Sequence, residues 1–379
     1  MVDKILFFIL VIAIGGALQR GVPILSLVSW PTYKIIVVVI SFLYLFRIIA
    51  NKSIYFNKGL KVYNVFLSIN LIWALISGIV PHFSYLSGLL TGLLPIYPFY
   101  YLKYTGKIGD REMLLSLLYL IVVSVFSYYG WNAQIMEEKN IDFFTNNIGY
   151  YFVPLFNIVY FLRKNTIRYV LIMIIVLFVL ASAKRGAQFC LLFEIIVYLY
   201  LIFYRNKKKG TVRKIAAIIG VVLSIFIITS NFSEDSYSIQ RINNTFTSSD
   251  KTDVYSGRDV IYATYLENYF KSGPKEMLFG NGFNATMDMY DLNAHNDWIE
   301  ILVDYGFITA IVYLLFFIYT FRHAKIINEP IYKYALYSVI GTMFIQTLFS
   351  MGFTSMSMSV TAMLLGFLFA ASHGIKRQM

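Results

Sequence analysis

Long apolar windows separated by short, sharply placed polar stretches run through most of this chain. A helix needs about 17–25 mainly apolar residues to cross a bilayer. Allowing for shorter or interrupted windows, the pattern predicts helices near residues 5–19, 33–50, 62–80, 84–102, 112–130, 148–162, 166–182, 187–204, 215–230, 298–321, 333–351 and 358–373. The first is short and the sixth adjoins the seventh, so the expected count is eleven or twelve spans. The expected fold class is an all-α, polytopic membrane protein. Because apolar windows recur to the far end of the sequence, Ile5 to Leu18 reads as a first span and not as a cleaved leader.

Assigning the connections alternately to two sides sorts the basic residues unevenly. Twenty-two of the 32 Lys and Arg residues fall on one side, which the positive-inside rule makes the cytoplasm, with both termini there. Connections on the other side are short except for residues 230–297, which lie between the ninth and tenth predicted spans and hold ten of the 20 acidic residues. A connection of this length inside a compact protein is usually functional. With no repeat or linker in the pattern, the chain reads as one domain, residues 1–379, into which this outer loop is inserted.

Part of the loop has helical periodicity. In "SGRDVIYATYLENYFKSGP" (256–274), Tyr262, Tyr265, Leu266, Tyr269 and Phe270 share one helical face, Ser256 and Asp259 have capping-box spacing, and Ser272-Gly273-Pro274 forms a stop. The expectation is an amphipathic helix lying on the outer membrane surface, with Arg258 at the leading end of its apolar face.

Composition agrees with the pattern. The chain is 58% hydrophobic and 14% charged, with mean hydropathy +0.66, outside the range of soluble domains. A net charge of +12 would suggest nucleic acid for a soluble protein; here the lopsided sidedness accounts for it, and no nucleic-acid partner is expected. The single cysteine, Cys190, excludes an intramolecular disulfide and a cysteine-based metal site. The 31 Tyr and 33 Phe residues suit both interface anchors and the walls of a cavity for amphipathic ligands.

Against this background a few polar residues stand out. Lys184 and Arg185 sit in a tight turn of "ASAKRGAQ" on the side where basic residues are disfavoured. They could be snorkelling anchors; a guanidinium there also suits an anionic ligand such as a phosphate. Arg258 and, more weakly, Arg241 pose the same choice within the loop, where a solvated ion pair is the ordinary reading. His295 is the only histidine of the large loop and could serve as a general base. Just after it, Asp297 is expected to cap the tenth span, with Glu300 completing a capping box and Trp298 anchoring at the interface. Asn296 adjoins them as a further supporting residue. No His or Cys stands at metal-ligand spacing, so neither a metal nor a cofactor is expected. "FGNGF" (279–283) reads as a turn, and Glu194, inside the eighth span, as a group facing a cavity or partner.

The ordered set "SAKRGA", "GRDVIY", "LFGNGFNA" and "AHNDWIEILVDYGFITA", over roughly residues 145–322, resembles the O-antigen polymerase and O-antigen ligase family of bacterial membrane glycosyltransferases. The resemblance implies glycan transfer at the periplasmic face of the inner membrane, with no metal and no nucleotide sugar. It implies an undecaprenyl-diphosphate-linked oligosaccharide as donor, and a sugar hydroxyl on another lipid-linked molecule as acceptor. Arg185 and Arg258, with Lys184 and Arg241, would hold the diphosphate, and His295 would orient or deprotonate the hydroxyl. A chain-length regulator and a flippase are the partners that such a role brings with it. The short, Phe- and Tyr-rich chain favours a polymerase; a ligase acting on the lipid A core and, less well, a transporter of the same lipid-linked glycan are the alternatives. Glu194 would suit the transporter, but the large outer loop and the lack of paired repeats do not.

Overall fold

The computed structural model describes residues 2–19, 29–51, 53–139, 146–205 and 258–371. Among them there is helix and no strand. The helices are α1 (Val2–Leu18), α2 (Trp30–Ala50), α3 (Lys58–Ser77), α4 (Phe83–Leu93), α5 (Ile96–Tyr104), α6 (Asp110–Lys139), α7 (Gly149–Leu155) and α8 (Ile158–Phe161). They continue with α9 (Asn165–Ala181), α10 (Arg185–Arg205), α11 (Arg258–Lys271), α12 (Pro274–Phe279), α13 (Ala285–Tyr290), α14 (Asp297–Lys325), α15 (Pro330–Phe349) and α16 (Ser357–Ala371). Eleven of the twelve predicted spans overlap these helices; the ninth, 215–230, lies outside the described residues. Five helices, α2, α3, α10, α14 and the 110–134 part of α6, are long and apolar enough to cross a membrane, and the apolar segments 149–161, 165–181 and 357–371 are shorter.

Helix α16 is the axis of the bundle, with every one of its residues buried. It packs closely on α5, where a side chain at Gly366 would run into the Ile96 carbonyl. Two further pairs, α3 with α14 and α10 with α15, close around this axis. Isoleucine, valine, leucine and phenylalanine side chains such as Ile35, Val39, Phe46, Leu75, Val122 and Ile196 point outward. An apolar exterior of this extent is what lipid contact requires and what water does not tolerate.

Three predicted spans are broken. The 84–102 window divides at Leu94-Pro95, and the Tyr63 hydroxyl donates to the Leu93 carbonyl at 2.7 Å, supplying a bond that the break removes. The 148–162 window divides into α7 and α8, with i→i−3 bonds from Phe156, Asn157 and Tyr160 carrying the chain through the break. Helix α14 continues past a kink at Gly306, whose φ of 77° and ψ of 177° lie outside any helix.

Connections gather at two ends. At one, Tyr100 and Tyr104 donate to the carbonyls of Tyr55 and Ser53, Lys103 pairs with Asp110, and Asn57 meets His323. At the other lie the 78–82 turn, the 182–184 turn, residues 258–297 and the 350–356 loop, tied together by His82 to Asp288, Arg258 to Phe349 and Asn296 to Leu348.

Helix α11 departs from the expectation of a membrane-surface helix. Its Tyr265 and Tyr269 are buried against Ala294, Ile299 and Val303, with Tyr262 and Leu266 packed alongside. The aromatic face therefore docks on the protein, and it is Phe270 and Val260 that are exposed. Protein–protein packing wins because the first half of α14 and the preceding loop offer apolar partners that a hairpin-like return brings within reach. Ser256 lies outside the described residues, as does the first half of the loop.

Candidate active site

The end that holds residues 258–297 is built around the start of α14. Asn296, and not Asp297, caps this helix: its side-chain oxygen accepts from the amides of Trp298 and Ile299 at 3.0 and 3.3 Å. Its amide nitrogen donates to the Leu348 carbonyl at 3.2 Å, so the cap is also tied to the end of α15. Asp297 faces inward, fully buried, and accepts from the amides of Gly352 and Phe353 at 2.7 and 3.2 Å and from the Tyr313 hydroxyl at 3.0 Å. It fastens α14 to the 350–356 loop. Trp298 is likewise no interfacial anchor. Its indole donates to Thr347 Oγ1 at 2.9 Å, and its ring packs on Tyr313, Phe317 and Phe344 between α14 and α15. A cap and a buried staple both need an oxygen acceptor, and neighbouring Asn and Asp each supply one; only the fold decides which turns inward.

His295 occupies the turn just before this cap, with a φ of 53°, in the left-handed region that side chains rarely adopt. Such a conformation persists only when its surroundings hold it. The holding contacts are present: the His295 amide donates to Glu300 Oε1 at 3.2 Å, and its carbonyl accepts from the Tyr262 hydroxyl at 3.5 Å. Glu300 is buried and reaches back five residues, two further than a capping box spans, and so fixes the turn of His295.

The cations converge on this turn. Arg258, the first residue of α11, donates from Nη1 to the Phe349 carbonyl at 2.8 Å. Its guanidinium also lies beside the hydroxyls of Tyr262 and Tyr150. The His295 imidazole is held below its ordinary range, first by burial and then by the nearby positive charges of Arg258 and Lys184. It is therefore neutral at physiological pH, the state in which a ring nitrogen can accept a proton.

Lys184 and Arg185 stand where α9 reverses into α10, through Ala183 in the left-handed region at φ 52°. Arg185 opens α10, so its backbone stands at the positive end of a 21-residue helix. Gly186 lets the two regions meet: a side chain there would strike the Tyr150 hydroxyl and come within 2.8 Å of Phe349 Cβ. The first turn of α10 and the Arg258 guanidinium thus share Phe349 and Tyr150 as neighbours. Phe189, one turn further on, stacks on Phe349 at 5.5 Å. Lys184, Arg258, His295, Asn296, Asp297 and Glu300 belong to one end of the molecule, with Arg185 beside them in sequence and helix; Arg241 lies outside the described residues.

Tyr150 and Tyr262 are members of this group that were not among the expected site residues; spacing placed Tyr262 only on the apolar face of the predicted helix. For Tyr262 the signal was its position four residues after Arg258 on a helix. For Tyr150 the sequence carries none.

A polar platform lies underneath. "FGNGF" wraps the Gly306 kink: the amides of Asn281 and Gly282 donate to the Val303 and Asp304 carbonyls at 3.0 and 2.9 Å, and Asn281 Nδ2 donates to Val303 at 2.8 Å. Gly280 and Gly306 lie backbone to backbone, each at positive φ and each without room for a side chain. Asp304, buried, accepts from the Thr286 amide at 2.8 Å. The reading of this motif as a turn is correct, and its task is to complete the hydrogen bonds of a broken helix. Among the described residues no group of His, Cys, Asp and Glu has the arrangement of a metal site.

A many-helix membrane protein with a basic, histidine-bearing end formed by an inserted loop is the class that this architecture defines. Residues 169–314 match the model of the O-Antigen ligase family, a stretch running from α9 past the Gly306 kink. This match supports the resemblance to the O-antigen ligase and polymerase family. A search of curated proteins returned no match.

Proposed function

We propose that the protein is an O-antigen polymerase, moving a glycan from undecaprenyl diphosphate to a sugar hydroxyl of another lipid-linked repeat unit at the periplasmic face of the inner membrane. The observation that carries this reading is the convergence of the Arg258 and Lys184 charges on a neutral, half-buried His295. Breaking a glycosyl–diphosphate bond builds negative charge on the leaving oxygens, and fixed cations in a low-dielectric site stabilise that charge as it forms. Arg258 and Arg185, with Lys184, take this role; Arg185 adds the positive end of α10. His295 accepts the proton of the attacking hydroxyl as the new glycosidic bond forms, since an alcohol is a weak nucleophile without a positioned base. Direct attack inverts the anomeric centre. Asn296, Asp297 and Glu300 act by holding the His295 turn.

The basic-rich end, with Lys103, Lys107 and Arg111, is then cytoplasmic and the His295 end periplasmic. Polymerase is preferred to ligase because the chain is rich in Phe and Tyr. The test supplies purified protein with an undecaprenyl-diphosphate repeat unit alone. Lengthened lipid-linked chains are the expected product. A product that forms only once lipid A core is added would make the protein a ligase, and movement across a vesicle without a new bond would make it a transporter.

A further inference from the structure

Glu194 lies on α10 nine residues after Arg185, or roughly 14 Å along the helix at about 1.5 Å per residue. It is fully buried. Around it stand Asn157, at the break between α7 and α8, Tyr160 on α8, and Ser338 and Thr342 on α15, all buried. Asn157 Nδ2 donates to Glu194 Oε1 at 3.1 Å and to the Pro154 carbonyl at 3.3 Å, which commits both of its amide hydrogens. Its Oδ1 is left as a pure acceptor.

Five buried oxygens in this group have no hydrogen-bond partner among the described residues: Asn157 Oδ1, Glu194 Oε2, Tyr160 Oη, Ser338 Oγ and Thr342 Oγ1. The hydroxyls of Ser338 and Thr342 face the Glu194 carboxyl, and Tyr160 stands beside both Ser338 and Glu194. Unmatched polar atoms inside a membrane bundle are costly, and an ionisable group at such depth marks a site by default. Here they come from three separate elements and converge on one carboxylate.

The chemistry of the set points to its occupant. All five atoms are oxygens: one carboxylate, one amide carbonyl and three hydroxyls, with no nitrogen or sulfur ligand. Such hard donors suit an alkali or alkaline-earth ion, and a single carboxylate balances one positive charge. Interrupted membrane helices also expose the oxygens that coordinate sodium in other folds.

We infer that Glu194, Asn157, Tyr160, Ser338 and Thr342 form a buried sodium site that ties the α7–α8 break to α10 and α15. The ion holds together the two helices whose ends build the site above: α10 begins at Arg185, and α15 ends at Phe349, the acceptor of Arg258. The site does not depend on which glycan the protein transfers.

The test uses the full chain purified in detergent with choline chloride as the only salt. Binding of ²²Na⁺ by scintillation proximity should be saturable, displaced by unlabelled sodium and not by choline, and the melting temperature should rise with sodium at constant ionic strength. Glu194→Gln should weaken sodium binding by roughly tenfold or more, the equivalent of one charged ligand lost. Thr342→Val, which keeps shape and charge, should weaken it less while the protein still elutes as a single species. Absence of saturable ²²Na⁺ binding, or equal binding by both variants and wild type, overturns the assignment. A melting temperature that follows pH and ignores sodium makes Glu194 a protonated group and overturns it as well.

Discussion

The breaks in α14 and in α7–α8 meet the same difficulty with different means. Each interrupts a helix in an apolar bundle, where every backbone group must find a partner. At Gly306 the chain itself closes the gap: Asn281 and Gly282 supply donors to the Val303 and Asp304 carbonyls, and Gly280 makes room for the approach. At Asn157 the backbone is carried through by tighter turns, and the side chain goes on to a buried carboxylate ringed by further buried oxygens without a partner among the described residues. A break completed by backbone makes a rigid platform, here the one under His295. A break completed by a side chain beside unmatched oxygens makes a place for something the chain does not contain.

Substitutions can separate these two roles. Gly306→Val carries the largest expected effect, because it forces a β-branched residue to positive φ against the Leu278 carbonyl. Strain of about 1–3 kcal/mol adds to a steric overlap that only backbone movement can relieve. Little monodisperse protein should be recovered on size exclusion. Asn157→Ala removes one buried donor pair and should cost about 1–3 kcal/mol, read as a lower melting temperature in a protein that still folds. If Asn157→Ala proves as damaging as Gly306→Val, the contrast between the breaks is wrong. Trp298→Phe keeps the aromatic packing and loses the bond to Thr347, for about 1 kcal/mol. Lys184→Met should leave stability nearly unchanged and act on the pH profile instead. Burial first, then Arg258 and Lys184, hold the His295 imidazole down, so removing one cation raises its pKa. The acidic limb of the transfer rate, where the neutral base is lost to protonation, should therefore move to higher pH. A limb that stays in place or moves down would mean that His295 is not the titrating group.

Much of this was legible in the sequence, and what was hidden has physical reasons. Apolar windows located the helices because span length is set by the bilayer. "ASAKRGAQ" announced a tight reversal, and the spacing of Tyr262, Tyr265 and Tyr269 announced α11. His295 stood out as the one imidazole of the large loop. The surface on which α11 lies was not legible, since an apolar helical face looks the same whether it meets lipid or Ile299 and Val303. Nor was the exchange of roles between Asn296 and Asp297, because the donors that claim Asp297, Gly352 and Phe353, are more than fifty residues away. Nor was the break between α7 and α8, although Pro154 stands just before it. The pairing of Gly280 with Gly306 left no periodic trace, since it is a contact between two backbones.

The central claim, that His295 acts as base beside cations that hold a diphosphate, is tested most directly by chain extension with purified variants and an undecaprenyl-diphosphate repeat unit. His295→Ala and Arg258→Ala should insert and fold as the wild type does and yield no lengthened chains. A normal ladder of products from either variant would contradict the account.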